Sequence, residues 1–89
     1  MSTFVDTSAL LAVLDADDAQ HTRATRAWLE LLDGVGPLVT TNYVLLETTA
    51  LAQARLGLGA TRLLNDDVVP VLSVTWVDEA LHRTAMTAL

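Results

Sequence analysis

Thr3-Phe4-Val5-Asp6-Thr7-Ser8-Ala9-Leu10-Leu11-Ala12-Val13-Leu14-Asp15 opens the chain with an uncharged β-prone triplet, a lone acid and a run of small and apolar residues. Asp6 is the only charged side chain between Met1 and Leu14. The triplet fits a central strand of a parallel sheet, buried on both faces. Asp6-Thr7-Ser8 offers turn and capping chemistry for a short helix over Ala9 to Leu14. In an open parallel sheet, ligands bind in the crevice beyond the carboxyl ends of the strands. A solitary carboxylate at that point is therefore either a helix cap or a functional acid.

Working outward, Asp15, Asp17 and Asp18 form a second capping cluster before a helix expected from about Ala19 to Leu32. Ala24, Trp28 and Leu31 or Leu32 share one face of it, with Arg23, Arg26 and Glu30 elsewhere. Gly34 is expected to end it in a left-handed cap. Leu38-Val39-Thr40 is the next strand, and Thr41 or Asn42 can cap a helix from about Tyr43 to Leu56. That helix is apolar almost all round and is expected to be buried. Gly57 and Gly59 mark a break before a short helix from Ala60 to Asp66. Val68 to Val74 reads as a third strand, with Pro70 confined to its start or an unpaired edge. Thr75 and Asp78 match a capping box for a last helix striped by Val77, Leu81, Ala85 and Leu89. Trp76 reads as a packing anchor.

The order β-α-α-β-α-α-β-α predicts an α/β fold of three layers, a short parallel sheet covered by helices on both faces. Residues 1–89 are expected to be a single but incomplete domain, cut before its last strands, because no Gly, Asn or basic residue finishes the helix at Ala88-Leu89.

The 89 residues are 52% hydrophobic and carry a net charge of −6 from five arginines, no lysine and eleven acids. Such a surface repels phosphate backbones and excludes a non-specific nucleic-acid coat protein. It leaves open an enzyme that meets phosphates through a divalent metal. Without lysine, neither a P-loop nor a phosphoaspartate site with its supporting Lys can be built. Without cysteine there is no disulfide or thiolate metal site. No basic signal-peptide region and no apolar run of about 18 residues is present, so a cytoplasmic chain with no membrane span is expected.

A second lone acid accompanies the first: from Gly34 to Ala54 the only charge is Glu47. It falls early in the helix after the second strand and can lean over the same crevice as Asp6. Two carboxylates in an apolar cleft raise each other's pKa unless a cation lies between them. Mg²⁺ or Mn²⁺ suits such a pair, being hard and oxygen-loving. The plainer readings are that Asp6 is an N-cap and Glu47 a solvated helix residue. Ser8 is more readily a cap than a nucleophile, since no histidine is placed to activate it. His21 and His82 have no ligand-like spacing, and Gly57-Leu58-Gly59 lacks the third glycine of a dinucleotide loop.

The segments FVDTSALLAVLDADDAQH, TTNYVLLETTALAQARLG and VLSVTWVDEALHRTAM together resemble PIN-domain proteins, most closely the VapC-type toxins of toxin–antitoxin pairs. The resemblance runs over essentially the whole chain. It implies a Mg²⁺- or Mn²⁺-dependent endoribonuclease of a type II toxin–antitoxin system, hydrolysing RNA phosphodiester bonds. Asp6 and Glu47 are carried over as catalytic and metal-binding acids, with Ser8 and Thr41 as supporting polar groups. The family's third acid, and commonly a fourth, comes from a segment after the helix that here reaches Leu89; Asp78 and Glu79 do not replace them. Implied partners are RNA and a cognate antitoxin that inserts a basic side chain into the acidic cleft. In the resemblance the first strand is central and its outer neighbour comes from the absent segment. Thr3 to Val5 is therefore expected to present a bare apolar edge, and the chain to pair with a second copy as a homodimer. The alternative is a truncated, catalytically inactive PIN module that only binds partners. A phosphatase using Asp6 as nucleophile is disfavoured by Ser8, which stands where a second acid belongs, and by the absent lysine.

Overall fold

The computed structural model describes residues 2–88. Its elements run β1 (Thr3–Phe4), α1 (Thr7–Leu14), α2 (His21–Asp33), β2 (Leu38–Thr41), α3 (Asn42–Leu56), α4 (Leu58–Leu63), a π turn (Leu64–Val68), a 3₁₀ turn (Val69–Val71), β3 (Ser73–Thr75) and α5 (Glu79–Ala88). The three strands form one parallel sheet in the order β1-β2-β3. Two βαα units thus place both crossovers between parallel neighbours, and the α/β class follows from that alternation.

Parallel pairing brings Thr3 opposite Leu38 and Val39 opposite Ser73. The core forms where the strands meet the helices: Val5, Leu10, Leu38, Leu64 and Val68 are buried, with Leu14, Trp28, Leu31, Val44 and Leu45 packed against them. Helix α1 lies between α2 and α3 and touches both. Among the described residues, no helix is long and apolar enough to cross a membrane.

Several local expectations are corrected. Among the described residues strand β1 stands at the edge of the sheet, and Phe4 is 58% exposed, so the burial on both faces expected of this triplet does not hold. Thr3 and Val5 donate their N–H groups to Pro37 and Val39, so Phe4, alternating with them, turns its own backbone groups away from β2. Gly34 is extended, at φ −76° and ψ 172°, not left-handed. A Cβ there would lie 3.3 Å from the Leu31 carbonyl oxygen, so crowding favours glycine at this helix end. Gly57 is the residue whose backbone demands glycine, at φ 88°.

Helix α3 buries only Thr48 and Ala52 completely, and Tyr43 and Leu46 face solvent. Its apolar composition therefore does not translate into burial on all sides. The strand expected from Val68 is delayed to Ser73, because Leu64 and Val68 are drawn into the core through a π turn and Pro70 then sits in the 3₁₀ turn. The capping box shifts as well: Thr75 stays in β3, and Asp78 itself caps α5 by accepting from the Leu81 N–H at 2.8 Å. Asp15 and Asp18 close local turns onto the N–H groups of Asp17 and Gln20, leaving α2 without a side-chain cap. Along α5, Leu81 and Ala85 are exposed, and Leu89 lies outside the described residues.

Candidate active site

Because all three strands run the same way, the N-termini of the helices that follow them gather at one edge of the sheet. Asp6 stands there first. It takes the N-cap position of α1, with extended backbone at φ −99° and ψ 176°. Its Oδ1 accepts from the Ala9 N–H at 2.9 Å. One carboxylate oxygen is thereby engaged, and the side chain as a whole remains exposed. The two readings of Asp6 are compatible: a cap fixes the carboxylate's direction and leaves Oδ2 free to meet a ligand.

Glu47 occupies the second turn of α3, which begins at the end of β2, the direct neighbour of β1. It is exposed. Helices α1 and α3 pack together, and each acid lies in the N-terminal part of its element, Asp6 as the cap of α1 and Glu47 in the second turn of α3. Thr41 caps α3, its Oγ1 accepting from the Val44 N–H at 3.1 Å, which leaves the hydroxyl proton available to a further acceptor. Ser8 lies in the first turn of α1 with its side chain exposed.

Two residues behind this edge make long-range bonds that the sequence did not assign to them: Thr40, read only as part of a strand, and Asn42, read only as an alternative helix cap. Thr40 is fully buried, and its hydroxyl donates to the Val5 carbonyl at 2.9 Å, tying β2 to the residue immediately before Asp6. Asn42 uses both ends of its carboxamide on Val77, accepting from its N–H at 2.6 Å and donating to its carbonyl at 3.3 Å. A Thr in the middle of a strand and an Asn at the first turn of a helix carry no pattern that announces such long-range bonds. Beside Asn42, the Tyr43 hydroxyl shares a 2.9 Å hydrogen bond with His82 Nδ1. His21 Nδ1 donates to the Ala12 carbonyl at 2.7 Å, so neither histidine is directed at the acids through the nitrogen seen bonding.

Trp76 is corrected: it is 72% exposed just past the end of β3 and anchors no packing.

The donor set suits a hydrated ion. Asp6 and Glu47 are hard oxygen donors, and Mg²⁺ is commonly held by one or two carboxylates while retaining several waters. Among the described residues no group of three or more His, Cys, Asp or Glu side chains is assembled to hold a metal. These two carboxylates are by chemistry donors for one hydrated ion, and a two-ion cluster requires more negative charge than they supply.

The PIN domain family model matches residues 3–88. This chain belongs to the PIN-domain family. As a PIN domain it is also similar to a solved structure, that of Mycobacterium tuberculosis VapC20, described as a sarcin-ricin loop cleaving toxin. The TM-score is 0.81 and the sequence identity 31%, covering 97% of this chain and 65% of that one. No curated protein matches the chain. The PIN domain described here thus spans less than two thirds of the length of that solved relative.

Proposed function

We propose that this PIN domain is the part of a VapC-type endoribonuclease that carries the first two catalytic acids, Asp6 and Glu47. The observation that supports the reading is that each acid, from an otherwise uncharged stretch, follows a strand of a PIN-type parallel sheet, Asp6 as the cap of α1 and Glu47 in the second turn of α3. Residues 1–89 are a single, incomplete domain in this reading. The partners are RNA, a cognate antitoxin and a second copy of the chain, in the cytoplasm.

A bound Mg²⁺ or Mn²⁺ would supply positive charge to the scissile phosphate and acidify a water. Asp6 and Glu47 would hold it. The cap to Ala9 keeps the Asp6 carboxylate from rotating away, and the Thr40 bond to Val5 fixes the backbone on which it stands. Thr41 keeps one donor proton free, and Ser8 adds an exposed hydroxyl two residues along from Asp6. Both can steady water or a phosphate oxygen by hydrogen bonding.

A fluorogenic RNA incubated with the full chain and Mn²⁺ tests this. Cleavage that disappears in Asp6→Asn and in Glu47→Gln is expected; cleavage surviving both substitutions would place the chemistry elsewhere. A second reading, a PIN module that binds partners without hydrolysing RNA, is favoured by one observation, that among the described residues no group of three or more His, Cys, Asp or Glu side chains is assembled. Mn²⁺ binding without RNA turnover would select it.

A further inference from the structure

We infer that His82, fixed against Tyr43, offers its Nε2–H to a phosphate oxygen of RNA bound beside Glu47. The inference rests on the ribonuclease reading above and adds a substrate contact from α5, a helix which that reading does not use.

The geometry starts on α3. Tyr43 and Glu47 both lie on this helix and both are exposed. They stand four residues apart without a break in the helix, so their side chains share one face, with Cβ atoms about 6 Å apart. Long helical side chains lean toward the helix N-terminus, which carries the Glu47 carboxylate back toward the turn of Tyr43. From α5, His82 Nδ1 meets the Tyr43 hydroxyl at 2.9 Å, and the two rings stand 5.7 Å apart, tilted by 57°. His82 is therefore held at the rim of the α3 face that bears the second acid. The approach to α5 is fixed too, because Asn42, next to Tyr43, grips Val77 at both its N–H and its carbonyl.

Proton placement follows from the pairing. Imidazole is a stronger base than phenol, so the phenol donates and Nδ1 accepts. The ring proton then resides on Nε2. Among the described residues no hydrogen bond engages that N–H, and His82 is exposed. The Tyr43 bond thus sets both the tautomer and the direction of a donor with no partner in the fold.

Charge points to what that donor meets. With a net charge of −6 and no lysine, the chain has few groups for a phosphate backbone. Arg83 is already paired with Glu79 at 2.6 Å. Arg55 lies eight residues beyond Glu47, about 12 Å along the helix. Arg23 and Arg26 belong to α2, and Arg62 to α4. An N–H donated to an anionic oxygen is among the stronger hydrogen bonds, and His82 supplies one next to the turn of Glu47.

The experiment follows three readouts in the full chain with Mn²⁺: affinity for a single-stranded 2′-O-methyl RNA, cleavage of the ribose form, and amide exchange in α5. Asparagine puts its amide where Nδ1 stands and reaches no further, whereas glutamine puts an N–H where Nε2 stands. His82→Asn should weaken RNA binding about tenfold and raise KM with kcat preserved, while α5 exchange and Mn²⁺ binding heat stay as in the wild type. His82→Gln should bind within about threefold of the wild type. Wild-type affinity and KM in His82→Asn would overturn the phosphate contact and leave the ribonuclease reading standing. Equal losses in both variants would overturn it as well. An affinity loss matched by faster α5 exchange would make the pair a fastening only, and loss of Mn²⁺ binding heat would make His82 an ion ligand; either result overturns the inference. A wild-type chain that neither binds nor cuts RNA would remove both readings.

Discussion

The hydroxyl of Thr40 donates to the carbonyl of Val5 at 2.9 Å, joining two strands through residues that lie 35 apart in sequence. Both residues are buried. The bond ends one residue before Asp6, so the stability of the sheet and the placement of the first acid depend on the same contact. Thr40→Val keeps the side-chain shape but leaves the Val5 carbonyl with no hydroxyl partner. A loss of about 1–3 kcal/mol is expected in urea unfolding. An unchanged midpoint and slope would show that the bond contributes nothing net.

Asp6 acts both as a cap and as a candidate metal ligand, and two substitutions separate these roles. Asparagine caps about as well as aspartate, so Asp6→Asn should unfold within about 0.5 kcal/mol of the wild type while giving no Mn²⁺ binding heat in calorimetry. Asp6→Ala should lose the binding heat and also about 1 kcal/mol of stability. Equal Mn²⁺ binding by Asp6→Asn would remove Asp6 from the metal site.

The backbone of Gly57, at φ 88° and ψ −175°, lies in a region that is essentially reserved for glycine. A Cβ there would meet nothing within 4 Å, so any penalty for Gly57→Ala is conformational and not steric. It should cost about 1–3 kcal/mol. Gly59, inside α4 and equally unobstructed, is the control: Gly59→Ala should be neutral or stabilising by about 0.5–1 kcal/mol. Similar unfolding midpoints for the two variants would refute the argument from φ.

Strand β1 leaves its outer edge unpaired among the described residues, above a groove of about 180 Å³ lined by Phe4, Val5, Val13, Ala27, Trp28 and Leu31. Such an edge is a template for another chain. Light scattering of the wild type at high micromolar concentration should give a dimer. Phe4→Lys, which places a charge on the edge, should give a monomer with unaltered circular dichroism. A monomeric wild type would rule the pairing out.

The order of elements was legible because periodicity records which way a segment turns, and the two lone acids were legible because charge is conspicuous in apolar surroundings. Three things were not. The delay of β3 to Ser73 depends on Leu64 and Val68 competing successfully for the core, a tertiary effect that Val-rich local propensity points away from. The exposure of Trp76 and Tyr43 contradicts their hydrophobicity, and only the arrangement of neighbouring elements reveals it. The grips of Thr40 on Val5 and Asn42 on Val77 each span 35 residues, beyond the reach of any local pattern.

Helix α5 contributes no buried residue to the protein, and its fastenings are concentrated at its start, in the Asn42 carboxamide and the Tyr43–His82 bond. A segment held this way can open without disturbing the core, since no apolar contact in the centre has to break first. In hydrogen–deuterium exchange its amides should therefore exchange together and well ahead of those of α1 and β2. Asn42→Ala should quicken that exchange in α5 alone, making the helix a separately melting appendage on a sheet that stays closed.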